Sequence, residues 1–256
     1  MSNKKSITAR EKYENKTFDI GGQEVKVVKY VNTTNILIQF PDKHITTTYL
    51  SCINKKVVKD VMSPSVVGYG YLGVGHQKTK DENGKDFKSY NMWASMIRRV
   101  FLPDKDRKND LKICDEWLNY QEFANWFDLN YYEIEDCEVI ITNTFFNKDE
   151  KMYSPETTIF LPRFINLLIN TNGHGDKKLP RGISYDCKRF IEPYRVSFKK
   201  YKENTKCYGS YQTFQEAYKV LKYEKEKYIH EVADELIDVL PYKIFSELKN
   251  YKMEDY

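Results

Sequence analysis

The apolar residues of this 256-residue chain change period three times, and no fold built from one kind of element accommodates that. From Phe18 to about Val67 the period is two. "EVKVVKYV" and "NILIQF" alternate apolar and polar residues, Ile36, Ile38 and Phe40 share one side, and Asn32 to Asn35 form the turn between the runs. From 88 to 132 the period is helical. "SYNMWASMIRRVF" sets Met92, Trp93, Met96, Ile97, Val100 and Phe101 at helical spacing before Pro103 stops it. "CDEWLNYQEFANWFDLNYY" does the same with Trp117, Tyr120, Phe123, Ala124 and Phe127. Three short strand-like runs follow, "RGISYD", "YRVSFKK" and "NTKCYGSY". A long helical segment then opens at Thr213, which with Glu216 makes a T-x-x-E capping box, each side chain satisfying a free backbone amide of the first turn. Ala217, Leu221, Tyr228, Val232 and Leu236 supply its apolar stripe, and Pro241 is expected to end it. Strands and helices in separate blocks predict a modular α+β protein, in a chain long enough for two or three modules.

One motif is set aside by its context. Gly68, Gly70 and Gly73 stand in G-x-G-x-x-G spacing, but a dinucleotide site needs those glycines to open a helix after a strand. Polar, turn-rich "VGHQKTKDENGKDFKS" follows instead, so a loop or β-turn is expected. The aromatic stripes, in a chain with 21 Tyr and 14 Phe, are read as core because they fall at helical spacing. Five cysteines, at 52, 114, 137, 187 and 207, show no C-x-x-C spacing, which argues for reduced cytosolic thiols and against a disulfide framework or zinc knuckle. "MSNKKSITAREKYENK" lacks an apolar leader core and no run approaches ~18 apolar residues, so neither secretion nor membrane spanning is expected.

The net charge of +4 hides a strong asymmetry. Residues 177–230 carry 14 Lys or Arg against 6 acids, a local +8. Residues 111–136 carry one Lys against 7 acids, and 231–256 carry 3 Lys against 7 acids. One segment is suited to a polyanion and two would repel it. Between the helical and the last strand-like blocks, "TNGHGDKKLP" (171–180) reads as a flexible, basic joint.

Taken in order, "YNMWASMIRRVF", "ICDEWLNYQEFANWF", "YSPETTIFLPRFIN" and "RGISYD…YRVSF…YGSYQTFQEAYK" resemble bacteriophage proteins that join an HNH-type homing endonuclease region to a C-terminal AP2 DNA-binding domain. The similarity runs from about 65 to 240, and the N-terminal β-module is similar too. It implies an N-terminal β-module at 1–75, a helical plus HNH-like region at 76–170 with a degenerate ββα-metal hairpin, and the linker 171–180. An AP2-like three-stranded sheet plus long helix at 181–240 and an acidic tail at 241–256 complete it. It also implies double-stranded DNA as partner, no membrane, and the cytoplasm of a bacterial host cell.

For the last domain the resemblance implies that the sheet lies in the DNA major groove. Alternation reads the same segment independently: Tyr194, Val196 and Phe198 point toward the helix, while Arg195, Ser197 and Lys199 point outward. Ser184 and Asp186 share that outer face, flanked by Arg181, Lys188 and Arg189. Arginine, hydroxyl and lysine side chains contact phosphates and base edges.

The nuclease frame is read as degenerate. An HNH site needs a general base, usually His, and Asp, His or Asn ligands around one divalent metal. Where related sequences place acids or histidines this chain has Thr142, Asn143 and Thr144, none a base near neutral pH, although Asn166 matches the family's Asn. Ser154 and Pro155 are expected to cap and open a helical turn. Glu150 and Glu156, with Asp149, are weak candidates for a carboxylate-only Mg²⁺ site. The histidines at 44, 76, 174 and 230 are scattered, His174 lying eight residues past Asn166.

Three function classes follow. The chain binds duplex DNA without cutting it, the reading the residues favour. Alternatively it is an active divalent-metal-dependent DNA endonuclease. In a third reading it binds and regulates a host protein, for instance by inhibiting a defence enzyme, through the aromatic, acidic segment 111–136.

Overall fold

The computed structural model describes residues 8–102, 110–143, 145, 150–170 and 179–255. Its α+β chain divides into two units, Met1–Asn109 with Asp115–Asn125, and Asp110–Cys114 with Trp126–Tyr256. Pro103, Thr144, Asp149, His174 and residues 171–178 of the expected linker lie outside the described residues. Among the described residues no helix is long and apolar enough to cross a membrane.

In the first unit, a short helix α1 (Ala9–Tyr13) precedes a meander of four antiparallel strands, β1 (Thr17–Ile20), β2 (Gln23–Asn32), β3 (Asn35–Gln39) and β4 (Ile45–Thr48), and a second short helix, α2 (Leu50–Asn54). Alternation puts Val25 and Val27 of β2 and Ile36 and Ile38 of β3 on one buried face, an extra residue in β2, Val28, brings Tyr30 to it, and Tyr13, Phe40 and Ile53 close it. The helical period becomes α3 (Lys88–Phe101) and α4 (Tyr120–Asn130), the latter preceded by a 3₁₀ turn at Asp115–Leu118. Trp93, Met96, Ile97, Trp117, Tyr120 and Phe123 are all buried, and the Trp93 Nε1–H donates to the Trp117 carbonyl at 2.7 Å.

The glycine loop serves this packing. A Cβ on Gly73, which sits at φ +73°, would stand 1.9 Å from Asn119 Oδ1, and one on Gly75 would stand 2.1 Å from Gln121 Oε1. Gln121, itself buried, accepts from the Gln77 N–H and donates to the Leu72 and Gln77 carbonyls. Glycine is required here so that the loop backbone can approach those polar side chains.

The second unit contains β5 (Lys112–Ile113), β6 (Val139–Thr142), β7 (Met152–Tyr153), β8 (Ile159–Pro162), α5 (Arg163–Ile169), β9 (Ile183–Tyr185), β10 (Tyr194–Lys199), β11 (Thr205–Tyr211), α6 (Phe214–Glu235) and α7 (Tyr242–Lys249). β5 pairs parallel with β7, and β6 pairs antiparallel with β8 directly before α5. β9, β10 and β11 form an antiparallel sheet in the order β11-β10-β9. Leu161, Ile165 and Leu168 share one core with Ile183, Val196 and Phe198 of the sheet and with Ala217, Leu221, Ile229 and Val232 of α6. The elements before and after 171–180 therefore contribute to a single core.

One expectation is corrected. The acidic tail expected at 241–256 contains a packed helix among its described residues: Pro241 caps α7, and Ile244, Leu248 and Met253 are buried in the core. Their apolar spacing outweighs the acidic composition, and α6 ends at Glu235, before Pro241. Ser154 and Pro155 open a single helical turn, as expected, in which the Thr158 N–H donates to the Ser154 carbonyl at 3.0 Å and the Thr157 N–H to Ser154 Oγ at 3.4 Å, and the chain leads from it into β8.

The Thr213 capping box is present, with the Glu216 N–H donating to Thr213 Oγ1 and the Thr213 N–H donating to Glu216 Oε2, each at 3.2 Å. Thr213→Ala leaves the Glu216 N–H without its Oγ1 acceptor and is expected to cost about 1 kcal/mol, measurable as a shift in denaturant midpoint at unchanged slope. Thr213→Ser, which keeps the acceptor, is expected to cost little.

Candidate nucleic-acid interface

The sheet is one layer thick, so its two faces meet different surroundings. On the inner face Ile183, Val196 and Phe198 are buried against α6. The outer face is assembled row by row from the strand register. Ser184, Arg195 and Ser210 stand opposite one another across β9, β10 and β11, followed by Ser197 beside Cys207, and then Lys199 beside Thr205. Arg195, Lys199, Ser184, Cys207 and Thr205 are exposed, and Ser197 and Ser210 are half-buried.

Hydrogen bonds hold two of the arginines over this face. Arg189 Nη1 donates to Ser210 Oγ at 3.2 Å and Arg195 Nε donates to Cys207 Sγ at 3.2 Å. The Cys207 thiol is drawn below its usual range by a backbone hydrogen bond at Gly209, then by Arg195, with a smaller contribution from the charge of Arg189. The pair between Arg189 and Asp186, at 3.6 Å and half-exposed, is too open to neutralise the guanidinium strongly. Asp186 Oδ1 accepts the Lys188 N–H at 3.0 Å and so shapes the turn after β9.

The connection from β9 to β10 carries apolar residues into solvent, Phe190 at 97% exposure and Ile191 at 73%, beside Lys188 and Arg189. Sequence reading did not single these out, nor Ser210 and Cys207. In β11 Tyr208 is an extra residue: Cys207 faces Ser197 but Gly209 faces Val196. This bulge brings residues 207 and 210 to the same face, where strict alternation sends them to opposite faces.

Arg181 is placed differently from the rest. It is half-buried, and its carbonyl accepts from Lys225 Nζ at 2.8 Å. Lys225, almost wholly buried on α6, also donates to the Leu168 carbonyl at 3.3 Å, tying the end of α5 to the start of β9. Burial, then the nearby charge of Arg181, lowers the Lys225 pKa to about 8. Below about pH 8 the lysine is charged in both folded and unfolded chains, so the burial penalty is constant. Above it the folded chain sheds the proton while the unfolded one keeps it until about pH 10.4, so this group adds stability as pH rises. The unfolding free energy of wild type relative to Lys225→Met is expected to rise by up to about 1.4 kcal/mol per pH unit between roughly pH 8 and 10 and to be flat below 7. Denaturant melts of both proteins across that range check it; a flat difference contradicts it.

The nuclease-frame residues lie elsewhere in this unit and are occupied locally. Thr142 is buried in β6, and the buried Asn143 donates from Nδ2 to the Glu150 and Met152 carbonyls at 3.2 and 3.4 Å. Glu150 Oε1 accepts the Met152 N–H at 2.7 Å. Glu156 Oε2 accepts from Ser154 Oγ at 2.7 Å, the first cause of its carboxyl being held below the usual range. Asn166 is half-buried on α5. Of the other histidines, His76 is exposed and His230 Nε2 lies 3.1 Å from the Tyr251 carbonyl. Of the aromatics in 111–136, on which a protein-binding surface would rest, Trp117, Tyr120, Phe123 and Phe127 are buried and Trp126, Tyr131 and Tyr132 are half-buried.

No family model, curated protein or solved structure matches this chain.

Proposed function

We propose that this protein binds duplex DNA on the outer face of the β9–β11 sheet and holds it without cutting. The observation that carries this reading is the Ser184–Arg195–Ser210 row, reached by Arg189, on a face turned away from the core. Three strands about 4.8 Å apart present a face roughly 10 Å across, which fits a major groove about 12 Å wide. Arg195 is placed for base edges or phosphates, Ser184, Ser197 and Ser210 offer hydroxyls to phosphate oxygens, and Lys188, Arg189 and Lys199 supply the surrounding positive charge. Phe190 and Ile191 add an apolar contact of the kind that meets thymine methyl groups or a base step.

The frame at 139–169 supports binding over cleavage, because Thr142 and Asn143 are committed to packing and local bonds and neither is a base at neutral pH. Glu150 and Glu156 are bonded within their own turns. Mobility shift at low salt is expected to show a retarded duplex, and supercoiled plasmid with Mg²⁺ or Mn²⁺ is expected to stay supercoiled. Absence of a shifted band removes the reading. Nicking that depends on metal and is lost in Glu150→Ala or Glu156→Ala replaces it with the endonuclease.

A further inference from the structure

In the first unit a histidine and two aspartates converge outside every motif that points to DNA. The turn between β3 and β4 runs from Phe40 to His44, with the Phe40 N–H donating to the His44 carbonyl and the Lys43 N–H donating to that of Phe40. Asp42 Oδ1 accepts the His44 backbone N–H at 3.3 Å and lies 2.5 Å from ring Nδ1. The Phe40 ring stacks on the imidazole, centroids 4.6 Å apart and planes 13° from parallel. The Asp42 contact at Nδ1 and the Phe40 stack thus fix the ring, whose side chain is only 11% exposed.

In the tautomer that donates Nδ1–H to Asp42, the imidazole carries a lone pair on Nε2. That atom is buried and makes no hydrogen bond, yet it stands 3.3 Å from Asp60 Oδ1. Asp60 comes from the segment after α2 and is itself fixed, Oδ1 accepting the Met62 N–H at 2.8 Å and Oδ2 accepting from Ser63 Oγ at 3.1 Å. Two lone-pair atoms held face to face repel unless a positive charge lies between them. Two ligands of one tetrahedral ion, each bonded at about 2.0–2.1 Å, stand about 3.3–3.4 Å apart, which is the separation here. Asp42 behind Nδ1 completes the carboxylate–histidine–metal arrangement that orients a ligating ring. One ligand atom from each of Asp42, His44 and Asp60 lies within 4.8 Å of the others.

We propose that His44 Nε2 and Asp60 bind a divalent transition-metal ion of the zinc class, with Asp42 as the residue that positions His44. Mixed nitrogen and carboxylate donors suit Zn²⁺, Co²⁺ or Ni²⁺ better than Mg²⁺ or Ca²⁺, which take oxygen shells. The two carboxylates balance the ion's charge, and water completes its shell. Bound there, the ion clasps the segment after α2 onto the β3–β4 turn.

The test uses the full chain, stripped with chelator, kept reduced and titrated with Co²⁺ and then Zn²⁺. Co²⁺ is chosen because the five cysteines, none in a disulfide, compete, and thiolate ligation gives an intense charge-transfer absorption that nitrogen and oxygen ligands lack. The expected result is one bound ion with weak visible bands only, and a raised melting temperature. His44→Gln and Asp60→Asn are each expected to weaken binding at least 100-fold, and Asp42→Asn about 10- to 100-fold. Should either ligand variant fail to fold, long-range ¹H–¹⁵N spectra of the wild type are expected to show His44 Nε2 shifting on Zn²⁺ addition. The proposal is overturned by no binding, by affinity unchanged in a folded His44→Gln, by a thiolate spectrum, or by a His44 ring protonated on both nitrogens that Zn²⁺ does not alter.

Discussion

Leu221→Ala is expected to lower the stability of the second unit by about 2–5 kcal/mol, the range for truncating a fully buried leucine in a core that cannot collapse around the gap. Leu221 has no exposed surface and lies on the α6 stripe beneath the sheet. The chain comes so close that a Cβ on Gly182, one residue before β9, would stand 2.6 Å from Leu221 Cδ1. The Gly182 carbonyl accepts the Ser197 N–H at 2.9 Å and the Ile183 N–H donates to the Pro180 carbonyl at 3.1 Å, so the backbone is held there against moving into the cavity. Since α6 supports the face proposed to bind DNA, binding is expected to vanish at the temperature where the variant melts and to be near normal well below it. Denaturant unfolding followed by far-UV circular dichroism, with binding measured on the same samples, checks both parts. A loss under 1 kcal/mol would mean that Leu221 does not fill this core.

Arg195→Ala combined with Lys199→Ala is expected to weaken duplex binding by about 2–4 kcal/mol, some 30- to 1,000-fold, with melting unchanged to within about 0.5 kcal/mol. Both side chains are exposed on the outer face, and the neighbours of Arg195 on β10 include the fully buried Val196, whose packing the substitutions do not touch. Lys219→Ala, an exposed cation on α6, is expected to change affinity little and serves as the control. Arg195→Lys is expected to keep most of the salt-dependent attraction and lose discrimination between sequences, because an ammonium lacks the guanidinium's bidentate geometry. Equal losses in the double variant and in Lys219→Ala would indicate diffuse attraction by net charge in place of a defined face.

Alternation was sufficient for β10, where Val196 and Phe198 are buried and Arg195 and Lys199 exposed, because that strand is regular and one of its faces is covered. It failed for β11, where the extra residue Tyr208 stacks on Phe198 and shifts the register, a packing event with no marker in the sequence. Phe190 and Ile191 resemble the start of a buried strand until the fold shows them in a connection. At α7 acidic composition concealed an apolar stripe, and only the presence of α6 beside it explains the burial of Ile244 and Leu248. The division into units was hidden because β5 at 112–113 pairs with β7 at 152–153, a contact whose partners are too far apart for local pattern to link. The same holds for His44 and Asp60, which share no motif spacing and meet only through the turn after β3 and the segment after α2.

The central claim, that a charged sheet face holds duplex DNA, is tested most directly by fluorescence anisotropy of a labelled duplex titrated with the intact protein across a series of salt concentrations. Contacts from Lys188, Arg189, Arg195 and Lys199 predict a linear fall of log affinity with log salt, of slope about −3 to −4 at roughly −0.9 per phosphate neutralised. No binding at the lowest salt, or an affinity that salt leaves unchanged, would contradict it.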